Sequence, residues 1–140
     1  MAEQIVLPEN YMPSDDEEFM NEMQKAYFRQ KLLEWKQSLL DESKETVASL
    51  QEATLNVPDL TDRATEESDR RLELRTRDRQ RKLIGKIDAA LRRIDEGTYG
   101  YCEVTGEPIG LRRLDARPIA TLSIEAQEMH ERDERVHRDD

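Results

Sequence analysis

Between about Ser14 and Asp95 the apolar positions fall at helical spacing. Phe28, Leu32, Trp35 and Leu39 recur at steps of 4, 3 and 4, and Val47 and Leu50 continue the stripe beyond Ser43, its polar gap. This is a narrow, heptad-like pattern. A stripe so narrow suits one partner helix rather than burial all round. No Gly or Pro interrupts from Ser14 to about Ala53. Ser14 reads as the N-cap of that helix, with Glu17 three residues on and acids in the first turn. A second stripe, Ile84, Ile87, Leu91 and Ile94, lies on a helix predicted from about Asp62 to Asp95, broken only by Gly85. Between the two, "LNVPDLTDRA" is a reversal. Pro58 disfavours helix at Val57, and Asp59, Thr61 and Asp62 are cap types placed to restart one. The pattern predicts an antiparallel helical hairpin whose arms span roughly 30 residues, on the order of 45 Å.

After the hairpin the pattern changes. Gly97 ends the second helix, and residues 98–122 hold three of the five glycines and two of the five prolines. That segment reads as turns and short strands forming a small globular lobe. Ser123 caps a last helix, "SIEAQEMHERDERV". The expected organisation is an N-terminal arm and helix start over 1–20 packing on the lobe and a coiled-coil hairpin over 21–96 with its tip near 56–64. The lobe then takes 97–122, and a C-terminal helix and tail 123–140. A lobe this small cannot stand alone and must lean on the hairpin base. The candidates for that support are Tyr99, Tyr101, Val104, Ile109, Leu111, Leu114, Ile119, Leu122 and Ile124.

Composition sharpens the picture. Apolar residues are 36% of the chain and charged residues 39%, the balance of solvent-exposed helices rather than a compact sphere. The net charge of −10 repels phosphate backbones, so direct nucleic-acid binding is not expected. A basic protein surface or channel is the partner this charge favours. No signal peptide and no apolar run long enough for a membrane span are visible, and one cysteine makes no internal disulfide. These features fit a cytoplasmic protein. "TEESDRRLELRTRDRQRK" has only Leu72 and Leu74 among its apolar residues, which argues for a monomer rather than a long oligomeric seam. No phosphate loop, nucleophile elbow or metalloprotease motif appears, so no enzyme is expected.

Two places carry chemistry. The hairpin tip presents Asp59 and Asp62, which on turn chemistry alone are turn and capping residues. "YGYCEVTGEPIG" reads as half of a zinc knuckle, but Cys102 is the sole cysteine of the chain. Structural zinc wants four Cys or His ligands. His130 and His137 are seven residues apart, outside the usual His-pair spacing of zinc sites.

The run "NVPDLTDRA…LELRTRDRQRKLIGKI…YGYCEVTGEPIGLRRLDARP" resembles the DksA family of RNA polymerase secondary-channel factors, over about Phe19 to Val136. The resemblance implies a mainly α fold: a long helical hairpin, a zinc-finger-like lobe and a C-terminal helix. It implies a regulator, not an enzyme, whose acidic tip enters the secondary channel of RNA polymerase. With guanosine tetraphosphate such a factor destabilises open promoter complexes, represses ribosomal RNA promoters in the stringent response and activates some biosynthetic ones. The family's tip residues fall on Asn56, Asp59, Asp62 and Ala64. Its alarmone contacts fall on Leu83, Lys86 and Arg117, with Gln127 where a basic residue is usual. Two cations can grip a pyrophosphate, Arg as a fork and Lys as a point charge. Its four zinc cysteines fall on Cys102, Thr105, Ser123 and Ala126, so zinc is expected to be absent and the fold to survive without metal. The other readings are a transcript-cleavage factor of the same channel, a zinc-finger nucleic-acid binder and a structural coiled-coil protein.

Overall fold

The computed structural model describes residues 7–55 and 60–139, with side chains left out at 46, 49–55, 60–63 and 138–139. Four helices follow in order: α1 Glu22–Leu55, α2 Leu60–Glu96, α3 Leu111–Ala116 and α4 Ile124–Asp139. Among the described residues there is no strand; the one bridge pairs Tyr101 with Pro108 in antiparallel sense. By contact density the chain divides into a unit of residues 1–32 and 89–140 and a unit of residues 33–88.

In the 33–88 unit, α1 and α2 run antiparallel. Lys36 Nζ donates to Asp88 at 2.7 Å, and Gln80 Nε2 donates to Glu42 at 2.9 Å. The members of each pair lie about equally far in sequence from Asp62, the signature of a hairpin in constant register. Buried here are Leu39, Ile87 and the polar Gln80. Ile84 and the residue seven on, Leu91, are only half-buried; the buried line of α2 runs instead through Gln80, Ile87, Ala90 and Ile94. The stripe read from the apolar spacing holds at Ile87 and Ile94, and Ala90 is buried where Leu91 had been expected. A small residue at 90 and an amide at 80 can sit closest to the facing helix. Among the described residues, the Gln80 Oε1 atom is buried with no hydrogen-bond partner.

In the other unit an aromatic cluster replaces the seam. Phe28 is fully buried, 5.7 Å from the Tyr99 ring. Leu32, Ile94, Leu114, Ile119, Ala120 and Ala126 complete the core. The Tyr99 hydroxyl donates to the Pro118 carbonyl at 2.7 Å, so its polar tip is satisfied where its ring is buried.

The start of α1 differs from the expectation at Ser14. Ser14 does make a capping-type turn: the Asp16 N–H donates to its hydroxyl, and its own N–H donates to Glu17. The turn does not propagate, because Met20 takes a left-handed backbone with φ 55°. Asn21 caps the helix instead, its side chain accepting the Gln24 N–H at 2.8 Å. Gln24 reaches back to accept the Met20 N–H at 2.7 Å and donates to the Ser14 carbonyl. That reciprocal arrangement satisfies helix-start donors much as a capping box does.

At the far end, Gly97 at φ 81° closes α2 as a Schellman motif: the Thr98 N–H donates to the Arg93 carbonyl and the Gly97 N–H to the Ile94 carbonyl. The lobe that follows holds a short helix, α3, where only turns and strands had been expected. Its cap, Gly110, makes no side-chain hydrogen bond, so no residue type announces it.

Candidate functional site

The lobe turns about Cys102. Its N–H donates to the Glu107 carbonyl at 2.8 Å, and its carbonyl accepts the Gly106 N–H at 2.9 Å. The Glu103 N–H donates to the Thr121 carbonyl, tying the turn to the segment before α4. The four positions matching the family's zinc ligands do not form a thiolate set. Thr105 accepts the Glu107 N–H through its hydroxyl, Ser123 caps α4 by accepting the Ala126 N–H, and Ala126 is buried. One thiol, two hydroxyls and a methyl do not fit structural zinc. Among the described residues no group of three or more His, Cys, Asp or Glu could hold a metal. His130 pairs with Glu134 on α4.

The thiol has a different environment. Cys102 is buried. Burial pushes it up, but the Ser123 backbone, the Thr105 side chain, and the Thr105 and Val104 backbones outweigh this through hydrogen bonds to sulfur, holding it down at about 6.

A network missed by sequence reasoning locks α3 to the base of α1. Tyr27 Oη donates to Asp115 Oδ1 at 2.7 Å, and Lys31 Nζ donates to the same carboxylate at 2.6 Å and to the Asp115 carbonyl at 2.7 Å. The Lys31 ammonium beside it, and then the Tyr27 hydroxyl, hold Asp115 below the usual carboxylate range. Burial, with Asp115, pushes Tyr27 up to about 12. Arg113 Nε donates to the Leu122 carbonyl. The acid and base lie 84 residues apart in sequence, so no local pattern pairs them. The one available signal was "RRLDARP", which lends Arg113 and Asp115 to this joint.

The N-terminal arm is seated on the lobe. Phe19 meets Tyr101 edge to face at 5.5 Å, and a Cβ on Gly100 would stand 3.2 Å from both Phe19 Cζ and Met20 Cγ. Of the lobe's expected apolar supports, Tyr99, Ile109, Leu114 and Ile119 are buried, and Leu111 and Leu122 are half-buried. Tyr101, Val104 and Ile124 are exposed. Val104 sits on the turn after Cys102 and Ile124 opens α4, positions whose side chains point away from a core this small.

The other site residues are placed as follows. Asn56 and Asp59 lie outside the described residues. Asp62 lies on α2, and Ala64 is exposed there. Leu83 is half-buried and Lys86 exposed on α2, both in the 33–88 unit. Arg117 and Gln127 belong to the other unit. Arg117 is exposed and closes α3 through its N–H to the Arg113 carbonyl, and Gln127 donates to Glu131.

Comparison with known proteins extends this geometry. Residues 24–94 match the family described as DnaK suppressor protein DksA, N-terminal domain. Residues 97–132 match the prokaryotic dksA/traR C4-type zinc finger. The RNA polymerase-binding transcription factor DksA of Caulobacter vibrioides is 67% identical over 136 residues, covering 97% of this chain and 96% of its own. The protein of the same description from Escherichia coli K12 is 46% identical over 123 residues, covering 88% and 82%. The solved structure of transcription factor DksA2 from Pseudomonas aeruginosa superposes with a TM-score of 0.78 at 44% identity, covering 84% of this chain and 90% of that one. These relatives are described as transcription factors, not as enzymes. A helical hairpin with a zinc-finger-type lobe, matched across nearly its whole length, places the chain in the DksA family.

Proposed function

We propose that the chain is a transcription regulator that binds RNA polymerase, with its acidic hairpin tip entering the secondary channel and guanosine tetraphosphate as effector. The observation that carries this reading is the 67% identity, over 97% of the chain, to a factor described as RNA polymerase-binding. The tip residues are Asn56, Asp59, Asp62 and Ala64; carboxylates on a rigid helical stalk can pair with basic groups of a channel that handles nucleotides. Lys86 and Arg117, both exposed, are the alarmone's cationic contacts, with Leu83 beside Lys86. Gln127 supplies a neutral donor where the family usually has a cation, which weakens that contact without removing it. The outcome for the cell is repression of ribosomal RNA promoters and activation of some biosynthetic ones during the stringent response. The factor works in the cytoplasm as a monomer and does so without zinc. Support for zinc independence is the donor set itself, one thiol in place of four, with the Thr105 and Ser123 hydroxyls engaged in backbone hydrogen bonds. Among the described residues no helix is long and apolar enough to cross a membrane.

One assay tests the reading. Polymerase from the same organism transcribes a ribosomal RNA promoter with and without the alarmone, in the presence of a zinc-selective chelator. The expected result is repression by the wild type, deepened by the alarmone and lost in Asp62→Asn. No repression with or without zinc would overturn the polymerase reading. Repression recovered only on adding zinc would overturn metal independence.

A further inference from the structure

Toward the hairpin tip the seam loses its apolar contacts. No described side chain of α1 from 40 to 48 is buried, and none of α2 from 64 to 79. Ser43 stands in the stripe of α1 where an apolar residue would otherwise repeat. In the 33–88 unit the buried described residues are Leu39, Ile87 and Gln80, and on α2 Gln80 is the one nearest the tip.

Gln80 is 7% exposed and only half satisfied. Its Nε2 donates to Glu42 Oε2 at 2.9 Å, whereas its Oε1 is buried with no hydrogen-bond partner among the described residues. The carboxylate partner settles which end of the amide points where, because an ionised carboxylate only accepts. An orphaned buried acceptor costs the desolvation of that atom, and an apolar side chain of similar size would carry no such cost. Burial by itself therefore gives no reason for an amide at this position. What the amide supplies is a requirement for one place. An aliphatic side chain packs against any apolar neighbour, but the Gln80 N–H is satisfied where the Glu42 carboxylate stands. A slip of α1 against α2 by one turn, ~5.4 Å, would part the two and leave both ends of the amide unpaired. A polar residue in a helical seam specifies register in this way, at a cost in stability. A second cross-helix pair of this unit, Lys36 with Asp88, is less demanding, because its side chains are 31% and 43% exposed and water can replace either partner.

We propose that Gln80 is a positioning residue of the hairpin: its hydrogen bond to Glu42 selects one register of α1 against α2. Asp62 precedes Gln80 by 18 residues, roughly 27 Å of helix. Over that length no described side chain of α2 is buried, so nothing described there corrects a slip. The register at Gln80 thereby sets how the tip acids are presented. This consequence rests on the polymerase-binding reading; the register itself does not.

Three measurements on the full chain test the proposal. Nitroxide labels on cysteines at Lys44 and Arg75, both exposed, in a Cys102→Ser background, report the register as a distance distribution by dipolar spectroscopy. The parent seam and Glu42→Gln, which keeps an acceptor for the amide, should each give one narrow distance. Gln80→Leu should broaden or split it. In the unlabelled chain, Gln80→Leu should raise the thermal midpoint by about 2–4 °C, because the orphaned acceptor is gone. The same variant should need about threefold to tenfold more protein for half-repression of a ribosomal RNA promoter, as the competent register falls to that fraction of molecules. Glu42→Gln should repress like the wild type. Gain of stability with loss of repression is a combination that a merely structural residue would not produce. One narrow distance in Gln80→Leu would overturn the proposal, as would a lowered midpoint or a broadened distance in Glu42→Gln. Split distances with undiminished repression would overturn the link to the tip. A wild type that does not repress would sink the polymerase reading alone, and the distances would still decide the register.

Discussion

Cys102 and Gln24 show how single side chains hold this protein together without standing in any pattern. The hydrogen bonds on the Cys102 sulfur lower it from an ordinary value of 9.0 to about 6, despite burial acting the other way. A group depressed in the folded state favours folding when it is ionised. Its contribution is therefore fully present above about pH 9 and is lost as the pH falls through about 6. The gap in thermal midpoint between the wild type and Cys102→Ser should accordingly be widest at high pH and should close below the thiol's value. A gap that stays constant across that range would refute the thiolate. Gln24 is fully buried because it serves both ends of one turn, the Met20 N–H and the Ser14 carbonyl. In sequence it is one more polar residue near a helix start.

At the scale of elements, what was legible depended on whether the signal is local. The two long helices, the stop at Gly97 and the Ser123 cap all follow from spacing and cap chemistry within a few residues. The helix limits differ from the expected ones by about two residues at Leu55 and Leu60. The start of α1 and the whole of α3 were not legible. The first is decided by Met20 adopting a left-handed backbone under Gly100, and the second is a six-residue helix held by Tyr27 and Lys31 from far away. The two helix glycines give opposite predictions. Gly97→Ala forces a Cβ into a left-handed backbone and should destabilise by about 1–2 kcal/mol. Gly85→Ala sits in open helix and should stabilise by about 0.5–1 kcal/mol. Chemical denaturation of both variants checks the signs, and a loss at Gly85 would mean that its space is not open.

For the whole molecule, the distribution of burial sets where it opens. Along α2 no described side chain from 64 to 79 is buried, whereas Ile87, Ala90 and Ile94 are. Backbone amides of 64–79 should therefore exchange with solvent faster than those of 87–94, as measured by native-state hydrogen exchange. Uniform protection along α2 would contradict a helix anchored by its C-terminal half.

The sequence by itself determined the helical hairpin and the single thiol of the chain, because helical periodicity, turn residues and residue identity are properties of neighbours in the chain. Its resemblance to the family is what offers candidate tip and alarmone positions. Only the tertiary structure decided which apolar residues are buried and what surrounds the Cys102 sulfur. The same holds for α3's attachment to α1. Those outcomes rest on contacts between residues far apart in sequence, such as Lys31 with Asp115 and Phe28 with Tyr99. Burial and hydrogen bonding are set by which surfaces meet, and no local pattern encodes that.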